Sequence, residues 1–193
     1  FRCNDLIACK QDTIERAFEH CHRELEERQD ELRSIENYND ALWGEAWQGH
    51  DCELPVRSEA TIDLMPSVEE VAAGLISYTI GCMMGRYSLD ELGLIYARHR
   101  NEGFDPSQYD SFPADDDGIV PITEFEWFDD DAANRVEHFV ATAWPVDHLE
   151  ENLKFVAESI GKKKSESARD TLRRYLSTGF YKHHLSLYKK RQI

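Results

Sequence analysis

The chain has 193 residues, of which 41% are hydrophobic and four are tryptophan, enough for one ordinary domain with a buried core. Its 38 acidic residues against 22 basic ones give a formal net charge of −16, which repels DNA phosphates if it is spread evenly. The longest uncharged run, Val71–Gly85, falls short of the roughly 20 residues a membrane span requires and contains Ser77, Tyr78 and Thr79, so it predicts a buried helix.

The N-terminus, FRCNDLIACKQD, lacks the apolar stretch of a secretory leader. Five cysteines at irregular spacing predict a reduced, cytoplasmic protein rather than a disulfide framework. From about residue 5 to 46 the sequence predicts one or two long helices. Ile14, Phe18, Cys21, Leu25, Leu32 and Ile35 follow four- and three-residue steps, broken by Arg28. That is a coiled-coil-like seam, suited to an antiparallel hairpin or spacer, with a dimerisation coil as the alternative. Gly44, Gly49, Pro55 and Pro66 then punctuate an acidic loop.

A second helix is announced by Ser67 with Glu70, the spacing of a capping box, and runs through the uncharged segment to about Gly85–Tyr87. Gly81 and Gly85, four apart, predict a face where another backbone approaches closely. Residues 88–97 form a turn and a short apolar segment, Leu92, Leu94 and Ile95. Residues 99–126 are irregular, with a very short strand predicted around Ile119, Val120 and Ile122. A helix follows from Asp129 or Asp131, with Val136, Phe139, Val140 and Ala143 on one face, and stops at Pro145. Asp147 with Glu150 predicts another capping box, for a helix closed by Gly161. Two basic helices, about 165–176 and 178–190, complete a mainly α protein: a helical bundle with little or no sheet. Its predicted organisation is a helical spacer at 1–46, a linker at 47–66, a helical core at 67–161 with the irregular loop 99–126, and a basic extension at 162–193.

The charge is strongly divided. After Gly161 ten basic residues face only Glu166 and Asp170, a net of +8, while the first 161 residues hold 12 basic and 36 acidic groups, a net of −24. The basic helices therefore either dock on the acidic body or present a phosphate-contacting surface. On the second alternative the candidate contacts are Lys162, Lys163, Lys164, Arg173, Arg174, Lys182, Lys189 and Lys190.

No catalytic or metal constellation stands out. Cys9, His20, Cys21 and His22 have metal-binding residue types, but Cys21 belongs to the apolar seam and the histidines then point to other faces. Asp115–Asp117 lack the ligand spacing of a calcium loop. There is no GxSxG, P-loop or GxGxxG. The four tryptophans, Trp43, Trp47, Trp127 and Trp144, are assigned to the core or to helix junctions, with stacking on bases as the alternative.

Four segments in order resemble one family. They are ISYTIGCMMGRYSLDELGLIYA (76–97), DDDGIVPI (115–122), EWFDDDAANRVEHFV (126–140) and ENLKFVAESIGKKKSESARDTLRRYLSTGFYKHHLSLYKKR (151–191). The family is that of the adenine-specific DNA methyltransferases of BREX phage-defence systems, the PglX family, and the resemblance covers a middle part of those large enzymes. Their S-adenosylmethionine-binding glycine motif and Asn-Pro-Pro-Tyr motif have no counterpart here, so no catalytic or cofactor residue carries over; S-adenosylmethionine is the cofactor of the parent enzyme. The resemblance implies methyl transfer to adenine N6 of a flipped-out base by the parent, with this stretch a non-catalytic helical connector that positions DNA. The implied partners are DNA, through the parent protein, and other BREX components. The competing expectation is a stand-alone acidic interaction protein, a DNA mimic or adaptor, that binds a basic partner.

Overall fold

A computed structural model describes residues 3–47, 65–98 and 102–189, so most of the predicted linker at 47–66 lies outside the described residues. Among these residues the protein is helical and contains no strand, and no helix is long and apolar enough to cross a membrane. The N-terminal segment divides into α1 (Cys3–Ala8) and α2 (Ile14–Ala46), separated by a turn in which Lys10 takes a left-handed φ of 52°. Thr13 caps α2, its hydroxyl accepting from the amide of Arg16.

The seam predicted along α2 is used only at its start. Ile14, Ala17 and Cys21 are buried; Leu32 and Ile35 are about half exposed, as is Leu42. From residue 30 onward nearly every side chain faces solvent, so the last 17 residues of the helix form an arm some 25 Å long at about 1.5 Å per residue. The amide of Ile14 donates to Oδ1 of buried Asn152 at 2.8 Å, which ties the base of α2 to a helix far along the chain.

The uncharged run becomes α3 (Val68–Met83), opened by the Ser67–Glu70 capping box. It is buried on most of its circumference, as a helix without a polar face must be. It packs against α1, α4 (Ala132–Ala143) and α5 (Leu149–Ser159). Leu75, Ile76 and Met83 join Phe139, Val140, Leu153 and Val156 in the core, each contributing about 1.5–3 kcal/mol when taken from water. Pocketing of Cys21 beside α1 pushes its thiol up to about 12, chiefly through burial and secondarily through Cys9.

Gly81 and Gly85 serve purposes other than backbone contact. A Cβ at Gly81 would lie 2.5 Å from the ring of Tyr87, so the glycine admits an aromatic ring. Gly85 is in the left-handed region, φ 68°, and turns the chain out of α3. The GRYSLDE segment is then stapled in place. The Tyr78 hydroxyl donates to the carbonyl of Ser88 at 3.0 Å, the Ser88 hydroxyl to that of Gln108 at 2.6 Å, and the Tyr109 hydroxyl to that of Gly85 at 2.6 Å. Asp90 accepts from the hydroxyl and amide of Ser111, and that hydroxyl bond is the main reason its carboxyl lies below the usual range.

The remaining differences from expectation have local causes. Residues 119–122 form no strand because no described segment pairs with them; Pro121 instead accepts from the amide of Ala132 at 2.8 Å. Asp131 caps α4 as expected. Asp147 caps nothing: a 3₁₀ turn, Val146–His148, leads into α5, and the imidazole Nδ1 of His148 meets Glu151 at 2.9 Å. Gly161, φ 85°, closes α5. Ser167 and Asp170 form a capping box for α6 (Ala168–Arg174). The two basic helices are one run, in which a π-helical stretch (Tyr175–Phe180) joins α6 to α7 (Tyr181–Lys189). Hydroxyls of Ser177 and Thr178 donate to the Arg174 carbonyl at the start of that stretch, competing with the regular backbone ladder. Of the tryptophans, Trp144 is buried, but Trp43, Trp47 and Trp127 stand in solvent.

Candidate nucleic-acid interface

The arginines of α6 point back into the fold. Capping fixes the start of the helix, so Arg169, Arg173 and Arg174 emerge at set angles toward α4, α5 and the preceding turn. Arg169 bridges two helices: Nε and Nη2 donate to Glu137 of α4 at 2.6 and 2.7 Å, and Nη1 and Nη2 to Glu150 of α5 at 3.1 and 2.6 Å. These bonds raise the arginine's pKa and hold the carboxyl of Glu150 below its ordinary range. Arg173 pairs with Asp131, whose side chain is 1% exposed, and also reaches Thr123 and Asn134. Arg174 donates to both oxygens of Glu166, at 2.8 and 3.0 Å, and to the carbonyl of Gly161 at 2.9 Å. The hydrogen bonds from Arg174 are the largest cause of Glu166 falling to about 2.

The predicted phosphate contacts are therefore not equivalent. Arg173 and Arg174 spend their donors inside the chain. Lys162, Lys163 and Lys164 lie on the turn between α5 and α6, beside Gly161 and Glu166, where Lys163 Nζ is 3.6 Å from Glu166. Lys162 and Lys164 form no side-chain hydrogen bond or ion pair among the described residues, and Lys182 stands exposed on α7 in the same condition. Lys189 ends α7, but its side chain, like all of Lys190, lies outside the described residues. Arg169 and Arg173 dock on acidic residues of the body, Arg174 and Lys163 pair with Glu166 of their own segment, and Lys164 and Lys182 stand exposed.

Elsewhere, Cys9, Cys21 and His20 line a hollow of about 290 Å³ with Asp5 and Glu24, but His20 turns to Glu24 at 3.7 Å. His22 pairs with Glu26 and tilts against Phe18. Among the described residues no three His, Cys, Asp or Glu side chains converge as a metal would require. A shallow cleft of about 420 Å³ lies between 94–98 and Gly103–Tyr109. Two features escaped the sequence: the grip of Arg169, whose partners lie 32 and 19 residues away, and an exposed aromatic loop before α4. The first left no signal in the linear order; the second was signalled by the acidic residues that interrupt it.

Fold and site together define a helical unit whose α6 arginines are paired within the chain, with exposed lysines before and after them and a long, largely exposed helical arm. No protein-family profile matches the chain. It is 55% identical over 128 residues to the adenine-specific methyltransferase BrxX of Escherichia coli O9:H4 (strain HS), an alignment covering 62% of this chain and 11% of that protein. It is 32% identical over 185 residues to the adenine-specific methyltransferase PglX of Lacticaseibacillus casei (strain Zhang), covering 94% of this chain and 15% of that one. The chain belongs to this family of adenine-specific methyltransferases and spans about a tenth to a seventh of the length of these relatives.

Proposed function

We propose that this chain is a non-catalytic helical connector of a site-specific DNA adenine-N6 methyltransferase in a BREX phage-defence system. In that enzyme S-adenosylmethionine supplies the methyl group, the substrate is DNA, and the other BREX proteins are partners. This segment holds the catalytic and recognition parts apart at a fixed distance and guides the duplex by phosphate contacts that carry no sequence information. The observation that supports this best is the division of basic groups. Arg169, Arg173 and Arg174 tie α6 to α4, α5 and the turn before it. Lys164 and Lys182 are left exposed, and Lys162, two residues before Lys164, is half-buried without an acidic partner among the described residues. Contacts to phosphate fall to these lysines, with Lys163, Lys189 and Lys190 extending the same basic segment.

The test is a mobility-shift titration of the 193-residue chain with a short duplex at several salt concentrations. Weak binding, insensitive to sequence, is expected. The triple variant Lys162→Glu, Lys164→Glu, Lys182→Glu should lose affinity and flatten the log–log salt slope by roughly 0.9 for each phosphate that is no longer neutralised. An unchanged slope in this variant refutes the assignment of DNA positioning to these lysines.

A further inference from the structure

The loop entering α4 displays what a folded chain ordinarily hides. Within ten residues Ile119, Ile122, Phe125, Trp127 and Phe128 are all exposed, Trp127 by 71% and Phe125 by 65%. The rings of Phe125 and Trp127 stack on one another, centroids 6.4 Å apart, and not on the core. A stacked, exposed aromatic pair in a loop with three further exposed apolar side chains is the kind of surface that marks an interaction site.

The loop is held firmly while its side chains are not covered. The amide of Ile119 donates to Asp115 and Asp117 at 3.1 and 2.8 Å. The Thr123 hydroxyl donates to the carbonyl of Phe125 at 2.6 Å, and Asn134 donates to the Glu126 carboxylate at 3.1 Å. Arg173, clamped on Asp131, also reaches Thr123 at 3.4 Å. A backbone fixed in advance lowers the entropy lost when a partner seats on it.

Charge identifies the partner's chemistry. From residue 101 to residue 134 the sequence holds no Lys, Arg or His, while Asp116, Asp117, Glu124, Glu126, Asp129 and Asp130 stand exposed around the aromatic residues. Phosphates are repelled here, and a second copy would set one acidic rim against another. A face with an apolar centre and a Lys/Arg border is complementary. The relatives are several times longer than this chain, and an enzyme that grips DNA must carry such basic faces.

We propose that residues 115–130 are the seat by which this unit docks on a basic, apolar face of the remaining methyltransferase polypeptide, with Phe125 and Trp127 as anchors; this rests on the connector function proposed above. Amide hydrogen exchange compares the 193-residue chain with the long methyltransferase that carries it. Amides at 124–128 should exchange at least roughly tenfold more slowly in the long polypeptide, the ratio a protecting contact of about 1.4 kcal/mol gives. Phe125→Ala with Trp127→Ala in the long polypeptide should return them to the rate of the short chain. Asp116→Asn, Glu124→Gln and Asp130→Asn should give intermediate, salt-sensitive protection. The aromatic double variant should leave the melting temperature of the short chain unchanged, which separates docking from folding. Equal exchange in both contexts, or protection that survives the double variant, overturns the proposal. So does self-association of the short chain in sedimentation that the double variant abolishes, because the occupant is then a second copy. Exchange reports docking alone, and the lysine-dependent salt slope reports DNA positioning alone, so either can fail without the other.

Discussion

Replacing Arg173 by alanine removes one half of a nearly dry ion pair. Asp131 keeps the amide of Asn134 at 3.0 Å, since it is the cap of α4, but loses its countercharge where only 1% of its side chain meets water. Arg173 itself is 13% exposed. Deleting one partner of a buried pair costs about 3–5 kcal/mol, because the remaining charge is stranded. For a chain of this size each kcal/mol moves the melting temperature by roughly 2–4 °C, so the drop should be about 6–20 °C. Asp131→Asn is the informative companion. Asparagine caps as well as aspartate and leaves no buried charge, and the freed guanidinium retains some contact with water. It should therefore cost less than Arg173→Ala. The double variant should recover part of the loss, with a coupling above about 1 kcal/mol. Thermal and urea unfolding followed by circular dichroism measures all four proteins. A loss under about 1 kcal/mol for Arg173→Ala, or a coupling near zero, would refute the clamp as a stabilising element.

Gly81→Ala places a methyl group 2.5 Å from the Tyr87 ring, which is stacked on Tyr78 at 5.1 Å and cannot retreat without breaking that stack. A loss of about 1–3 kcal/mol in urea unfolding is expected, and wild-type stability would show that the aromatic pair is not a fixed part of the core. Glu166 titrates at about 2 in the folded chain against an ordinary 4.5. A depressed folded value stabilises above the unfolded value, so its contribution is complete above about pH 4.5 and disappears as pH falls toward 2. Acid unfolding of Glu166→Gln should lack that portion of the pH dependence, and an acid profile identical to the wild type would disprove it.

Much of this fold is written in local sequence. The Ser67–Glu70 box, the uncharged run after it, Asp131 before α4 and Gly161 after α5 each state a backbone requirement that neighbouring residues satisfy by themselves. The segments from Ile76 to Arg191 also carry the family resemblance in linear form, because a chain retains its spacing whatever it packs against. Other assignments required the third dimension. Asp147 and Glu150 have the spacing of a capping box, but a 3₁₀ turn precedes α5 and the carboxylate of Glu150 goes to Arg169 instead. Periodicity along α2 is uniform from Ile14 to Ile35 apart from Arg28, yet of these positions only Ile14 and Cys21 are buried while Leu32 and Ile35 are exposed, so the same pattern is core at one end and surface at the other. Lysines and arginines read alike as +8 of charge. Whether a cation is consumed by a carboxylate tens of residues away, as at Arg169 and Arg173, or left without an acidic partner among the described residues, as at Lys162, Lys164 and Lys182, depends on which helices are neighbours. Burial of aromatic residues is likewise decided by packing: Trp144 is enclosed by the core, while Trp127 lies exposed on the loop before α4. Local chemistry determined where α3 and α4 begin and where α5 ends; only the tertiary arrangement decided which charges are paired and which rings remain exposed.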